Sequence, residues 1–339
     1  MKKNQYIIIF IMLTSIIITG CSTTESSQTD SQTVPENLTP VLVQLSWINE
    51  YSVSPFHNGI ESDGFAKQGL DVSLVEGGFS EDGFINPIEE VISGNAEFGT
   101  TSASNIIVAR SEGKPVIAIA SVFQRSPYAL LSLESTNVER PQDLIGKTVS
   151  VGDGGSRQIY DSLLETVDIN PEDVNTQSRT EFGIAPLLSG DVDVMGGWII
   201  NEGVAIEEAG ESYNAILMSD YAVDTYDSII FTSEDFLENN PEVVEAFVDG
   251  LVDGIQQTVD NPEQTIEYTL QFNEELEKDA QLRRLNAMIP LINVPNVPLG
   301  SMDPNIWSIT HQVLLDNNVI ETPIVLEDAF TTEFVESME

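Results

Sequence analysis

From Val41 to Thr232 the chain repeats one pattern: a short β-rich apolar run, a glycine-bearing turn, then a stretch with helical spacing. Val41–Trp47, Leu70–Val75, Phe98–Thr101 and Val116–Phe123 read as strands. Phe56–Gln68, ended by Gly69, and Asn86–Ser93 read as helices between them. Ser102 or Ser104 caps a further helix through Ala109, which Gly113 ends. Such alternation gives a largely parallel sheet covered by helices on both faces.

A second block of the same kind begins near Arg140-Pro141. Thr148–Val151 reads as a strand, Gly152–Ser156 as a glycine-rich turn and Arg157–Val167 as the helix after it. Ile184–Leu188 and Asn201–Ala209 are helical on either side of the short strand Val192–Met195. Chain direction changes near Asp220–Ser228, and Ile229–Thr232 is again a strand. Asn240 then caps a helix with Pro241 at its first position, and Val244, Phe247, Leu251 and Ile255 give it one broad apolar face. Pro262 opens another helix, and Trp307–Leu315 forms a late one. Two α/β lobes with the chain crossing between them can close over a small ligand, with hinges expected near 123–133 and 218–229.

Composition removes several classes of function. A chain of 339 residues suits roughly two domains at ~150 residues each. Its 55 acids against 13 bases give a formal net charge of −42, which repels phosphate backbones and excludes general nucleic-acid binding. Cys21 is the one cysteine, so there is no intrachain disulfide and no cysteine-rich metal site. His57 and His311 are the only histidines, which argues against a histidine-rich zinc centre. No nucleophile elbow, Ser/His/Asp order or metal-ligand spacing stands out, so no enzyme activity and no cofactor is expected.

The N-terminus reads as an address. Met1–Lys3 is basic, and the apolar run Ile7–Ile18 would span ~18 Å as a helix, short of the ~30 Å hydrocarbon core. Residues 1–20 therefore read as a signal peptide rather than a membrane span. Ile18-Thr19-Gly20-Cys21 resembles the bacterial lipobox, which implies lipidation of Cys21; a signal peptide with a chance cysteine is the alternative. Residues 21–39 are rich in Ser, Thr, Gln and acids and read as a flexible tether.

Several segments carry a family resemblance, in order, through most of residues 41–272. They are Gln44-Leu45-Ser46-Trp47, Phe65-Ala66-Lys67-Gln68-Gly69-Leu70-Asp71-Val72, Val75-Glu76-Gly77-Gly78, Phe98-Gly99-Thr100-Thr101-Ser102-Ala103 and Asp143-Leu144-Ile145-Gly146-Lys147. Asn201-Glu202 and Phe236-Leu237-Glu238-Asn239-Asn240-Pro241-Glu242 follow. The chain resembles the extracytoplasmic solute-binding proteins of ABC importers. Within them it is similar to the group that binds thiamine pyrimidine precursors, relatives of the nitrate-, sulfonate- and taurine-binding proteins. Gly203 stands where family members commonly have proline, and Tyr51–Gly59 departs from the usual pattern. A related lipoprotein group binds riboflavin, and a fungal and plant relative makes the thiamine pyrimidine with a histidine and a cysteine-rich iron site.

The resemblance implies a two-lobed, type II periplasmic-binding-protein-like fold, each lobe a mainly parallel sheet flanked by helices. Residues 40–130 and 225–339 would form lobe 1 and residues 131–224 lobe 2. It implies a monomeric, membrane-anchored receptor that delivers its heterocycle to a permease driven by an ATPase.

Candidate binding residues follow the strand ends. Trp47 ends the first strand and presents an indole for stacking, or is a core tryptophan. Trp198 and Glu202 lie four apart, and the resemblance implies that one stacks while the other accepts hydrogen bonds from N–H groups. For Glu202 an acid at a helix start is the alternative, and Asn201 reads as a helix cap, with a ligand contact as the alternative. Thr101 and Ser102, where a strand meets a helix, can hold a polar group or simply cap. Gly154, Ser156 and Arg157 belong to a turn that can cradle an anion, with a surface arginine as the alternative. His57 can hydrogen-bond a ligand or is a polar rim residue, Tyr226 can add a hydroxyl or an aromatic wall, and Asp153 and Tyr160 are weaker candidates.

Overall fold

The computed structural model describes residues 34–80, 83–180, 183–221 and 223–336. Cys21, the lipobox and the expected signal peptide lie outside the described residues. Among the described residues no helix is long and apolar enough to cross a membrane.

Among the described residues, six strands precede the first crossing between lobes: β1 (Thr39–Gln44), β2 (Leu70–Val75), β3 (Phe79–Ser80), β4 (Gly83–Phe84), β5 (Phe98–Thr101) and β6 (Val116–Ser121). Five lie beyond it: β7 (Tyr128–Leu133), β8 (Thr148–Val151), β9 (Asn175–Ser178), β10 (Val194–Trp198) and β11 (Tyr213–Leu217). The chain then returns as β12 (Ile229–Ser233). The first sheet has the order β2-β1-β5-β12-β6 and the second β11-β7-β10-β8-β9. Read from the other edge, the second repeats the first: second strand, first, third, entering strand, last.

Within each sheet one strand opposes the rest. β12 runs antiparallel to β5 and β6, and β7 runs antiparallel to β10 and β11. The remaining pairs are parallel. The reversed strand is in each case the one on which the chain enters that lobe. It starts at the cleft and must run away from it, whereas the parallel strands end there. Each lobe is therefore a mainly parallel sheet, and the two make a periplasmic-binding-protein fold. The crossings are residues 122–127 and 218–228, so the boundary expected between 130 and 131 falls inside β7. No alternating apolar run marks β7, β9 or β11 in the sequence.

Apolar clusters cover both faces of both sheets. In lobe 1, Val41, Val43 and Phe98 pack under the helices Ser54–Glu61, Pro241–Asp260 and Lys278–Ile292, while Ile229 and Phe231 pack with Ile106 and Trp307 on the other face. In lobe 2, Val149, Val151 and Leu163 lie on one face and Leu131, Met195 and Ile206 on the other. The expected helix Phe56–Gln68 is two pieces, Ser54–Glu61 and Gly64–Lys67, broken where Asp63 takes a left-handed conformation at φ 60°.

The lobes also touch directly. Ile200 of lobe 2 is fully buried in the lobe 1 core beside the helix Lys278–Ile292. Arg283 of that helix pairs with Glu208 at 2.7 Å. At the hinge, Arg125 of the first crossing pairs with Asp220 and donates to Ser219 of the second.

Candidate functional site

The parallel strands of both lobes end at one cavity of about 650 Å³. Lobe 1 lines it with Ser46 and Trp47 after β1, Glu50 and Tyr51 in the next turn, Thr100 on β5 and Asp227 ahead of β12. Lobe 2 lines it with Tyr128 on β7, Gly152 and Ser156 after β8, Arg179 and Thr180 after β9, and Gly197, Trp198, Asn201 and Glu202 at the end of β10. Ligand sites of open α/β sheets lie at these carboxyl ends of strands.

Each indole has an aromatic neighbour that fixes its face. Trp47, 44% exposed, meets Phe79 edge-on with ring centroids 6.5 Å apart, and Phe79 meets Phe84 at 5.4 Å. Phe84 also lines the cavity. Trp198 meets Phe123 edge-on at 6.4 Å. The two tryptophans thus come from opposite lobes into one hollow.

Glu202 sits on a π-helical turn, Ile199–Gly203, directly after β10. Such single turns widen the helix and re-aim a side chain. Its Oε2 accepts from the Trp198 backbone N–H at 2.8 Å, and its Oε1 accepts from Arg179 Nη2 at 2.9 Å. Gly197 makes room: a methyl there would stand 2.9 Å from the Glu202 carboxyl carbon. Arg179 also donates to the Gly196 carbonyl at 2.9 Å and the Gly183 carbonyl at 3.2 Å. Both partners are mostly buried, so the ion pair is held by several hydrogen bonds rather than by charge alone. Each Glu202 oxygen keeps a lone pair for a ligand N–H.

The rest of the wall adds two acids, Glu50 and Asp227, among small, hydroxyl and aromatic side chains. Burial raises the pKa of Glu50, with the Ser52 hydroxyl and Arg284 pulling the other way. Burial, and to a lesser extent Asp224, pushes Asp227 up to about 7 against the Ser126 hydroxyl. Tyr51 donates to Asn201 Oδ1 at 2.8 Å, a hydrogen bond from one lobe to the other. The Tyr128 phenol is pushed up to about 12, chiefly by burial.

Of the residues expected at the site, Trp47, Ser156, Trp198 and Glu202 line the cavity. The others are placed elsewhere, each for a visible reason. His57 is fully buried in lobe 1, hydrogen-bonded to Thr269 at 3.0 Å and Asn49 at 2.9 Å and stacked on Phe272 at 4.2 Å. Burial lowers its pKa to about 3. Thr101 is buried and accepts from Asn105 at 3.0 Å, leaving its neighbour Thr100 at the cavity. Ser102 caps the helix Ala103–Ser111. Gly154 lies on a separate hollow beside Asn105 and Thr310. Arg157 pairs with Asp161 one turn along its own helix. Tyr226 is buried against Trp307, its hydroxyl accepting from the Asp303 N–H at 2.7 Å. Asp153 accepts from Ser178 and Tyr160 bonds Thr176 within lobe 2. Asn201 caps nothing; it lines the cavity and accepts from Tyr51. Arg179, Glu50, Tyr51, Tyr128 and Asp227 were not singled out for binding, because only the folded chain brings them together.

Residues 53–265 match the family described as NMT1/THI5 like. The chain belongs to this family. A formylaminopyrimidine-binding protein of Halalkalibacterium halodurans is 27% identical over 337 residues, spanning 97% of this chain and 99% of the relative. The riboflavin-binding protein RibY of Chloroflexus aurantiacus is 27% identical over 340 residues, spanning 96% of each. Among solved structures, a putative periplasmic sulfonate-binding protein of an ABC transporter, SsuA from Methylobacillus flagellatus, superposes with a TM-score of 0.68 at 18% identity. That superposition covers 89% of this family member and 94% of SsuA, and it speaks for the fold.

Proposed function

We propose that this chain is the ligand-capturing component of an ABC importer, anchored through Cys21 at the outer face of the cytoplasmic membrane, and that it binds a thiamine pyrimidine precursor. The observation that carries the proposal is the meeting of Trp47 and Trp198, from opposite lobes, in one cavity that also holds the Glu202 carboxylate. Indole faces suit a flat heterocycle, and a carboxylate suits its N–H groups. Both curated relatives are named for binding a flat heterocycle, one of them a formylaminopyrimidine. Closure of the lobes buries the ring, and the closed form docks on the permease.

A small anion fits less well. Glu50, Glu202 and Asp227 all line the cavity, and the guanidinium of Arg179 is engaged by Glu202. Carboxylates facing a sulfonate or nitrate would repel it. Binding without turnover is the reading for the chemistry, supported by the names of the two relatives, both binding proteins. Riboflavin is the second reading, favoured by a cavity of about 650 Å³, which exceeds the needs of one ring.

Calorimetric titration with formylaminopyrimidine, riboflavin, taurine and nitrate tests this. Saturable binding of a heterocycle and none of the anions is expected. Binding of taurine or nitrate alone would refute the reading.

A further inference from the structure

One cavity residue is tied to both crossings. Asp227 stands in the wall just ahead of β12, on the second crossing. Its Oδ2 accepts from the hydroxyl of Ser126, on the first crossing, at 2.6 Å. That hydroxyl accepts from the Tyr128 N–H at 3.2 Å, and the Ser126 N–H donates to Asp224 Oδ1 at 3.1 Å. The Asp227 carboxyl is thus held at a fixed angle by backbone from two segments. Among the described residues, Ser126 supplies the hydrogen bond it receives, and Asp227 lines the cavity.

The charged and titratable groups around it are Asp224 on its own segment, Glu50 and Tyr51 across the cavity in lobe 1, and Tyr128, Arg179 and Glu202 in lobe 2. Arg125 and Asp220 act on the neighbouring Asp224 rather than on the cavity. Desolvation dominates, which is why the proton leaves Asp227 near pH 7 rather than near 4. Close to neutrality this carboxyl offers an O–H donor and a carbonyl acceptor side by side. An ordinary ionised carboxylate offers acceptors only.

We propose that Asp227 reads the amidine edge of an aminopyrimidine, a ring nitrogen beside an exocyclic amino group, through two parallel hydrogen bonds that share one proton. This deepens the proposed function and rests on it. The amino group donates to one carboxyl oxygen. The other oxygen and the ring nitrogen hold the proton between them, and it comes from solvent when both start without one. The pair is the same whichever atom carries the proton. A flavin ring has no amino group beside a ring nitrogen, so Asp227 selects against it.

The test is calorimetric titration of formylaminopyrimidine across pH with the full chain and two variants. For the wild type, Kd should rise about tenfold per unit above roughly pH 7.5, since the shared proton must be taken from solvent. Asp227→Asn carries a fixed donor and a fixed acceptor, and its Kd should not change with pH. Asp227→Leu should weaken binding at least ~30-fold at pH 7. One common pH profile for wild type and Asp227→Asn, or wild-type affinity in Asp227→Leu, overturns the inference. So does a wild type that binds riboflavin but not formylaminopyrimidine. A wild type that binds neither defeats the proposed function itself.

Discussion

Stacking sets the first expectation at the residue scale. Trp198→Ala should lose ~1–3 kcal/mol of heterocycle affinity, the usual worth of one aromatic platform. Calorimetry reads this directly, and unchanged affinity would remove Trp198 from the site. Arg179 makes a different prediction. It ties Glu202 to the Gly196 and Gly183 carbonyls, so Arg179→Met leaves a mostly buried carboxylate with only the Trp198 N–H. Losing one partner of such a pair costs ~3–5 kcal/mol, and the urea midpoint should fall accordingly. What was legible in the sequence follows from distance. Trp198 and Glu202 are four residues apart, and Trp47 follows a strand, so local spacing exposes them. Arg179, Glu50 and Asp227 reach the cavity only through lobe-to-lobe packing. The cationic residue that the sequence favoured, Arg157, is drawn off by Asp161 on its own helix, a pairing that the four-residue interval already contains.

At the scale of elements, the strand–helix alternation was readable wherever apolar runs alternate with turns. Three strands escaped it. β7, Tyr-Ala-Leu-Leu-Ser-Leu, is buried on both faces and shows no period of two. β9, Asn-Thr-Gln-Ser, is a polar edge strand with almost no apolar signal. β11, Tyr-Asn-Ala-Ile-Leu, lies at the other edge and mixes both characters. The helix Lys278–Ile292 carries Pro290 in its last turn. Packing between elements yields its own prediction. The helices Ser54–Glu61 and Pro241–Asp260 cross at Gly254, where an added methyl would overlap the Pro55 carbonyl oxygen. Gly254→Ala must push the helices apart. It should destabilise lobe 1 by ~1–3 kcal/mol in urea unfolding, while an unchanged midpoint would mean the crossing is looser than this.

At the scale of the whole molecule, two buried groups pull stability in opposite directions with pH. His57 has a folded pKa lowered from 6.5 to about 3, so the unfolded chain takes the proton first. Its contribution to stability is full above pH 6.5 and is lost as pH falls toward 3. Asp227 has a folded pKa raised from 3.8 to about 7, so its contribution is greatest below pH 3.8 and is lost as pH rises through 7. The imidazole of His57, followed by its ring-proton resonance, should show no titration between roughly pH 5 and 8 in the folded protein. A ring that titrates near 6.5 would contradict its burial in lobe 1.

The joining of the lobes around a flat ring is best tested through tryptophan emission. Trp47 and Trp198 line the cavity, whereas Trp307, the third of three, is sealed in the lobe 1 core against Phe330 at 4.8 Å. Titration with formylaminopyrimidine should quench part of the wild-type emission. The double variant Trp47→Phe, Trp198→Phe keeps two aromatic platforms and should still bind by calorimetry, with the emission of Trp307 undisturbed. Full quenching of Trp307 in that variant, or binding to the wild type with no quenching at all, would contradict a ring clasped between the two indoles.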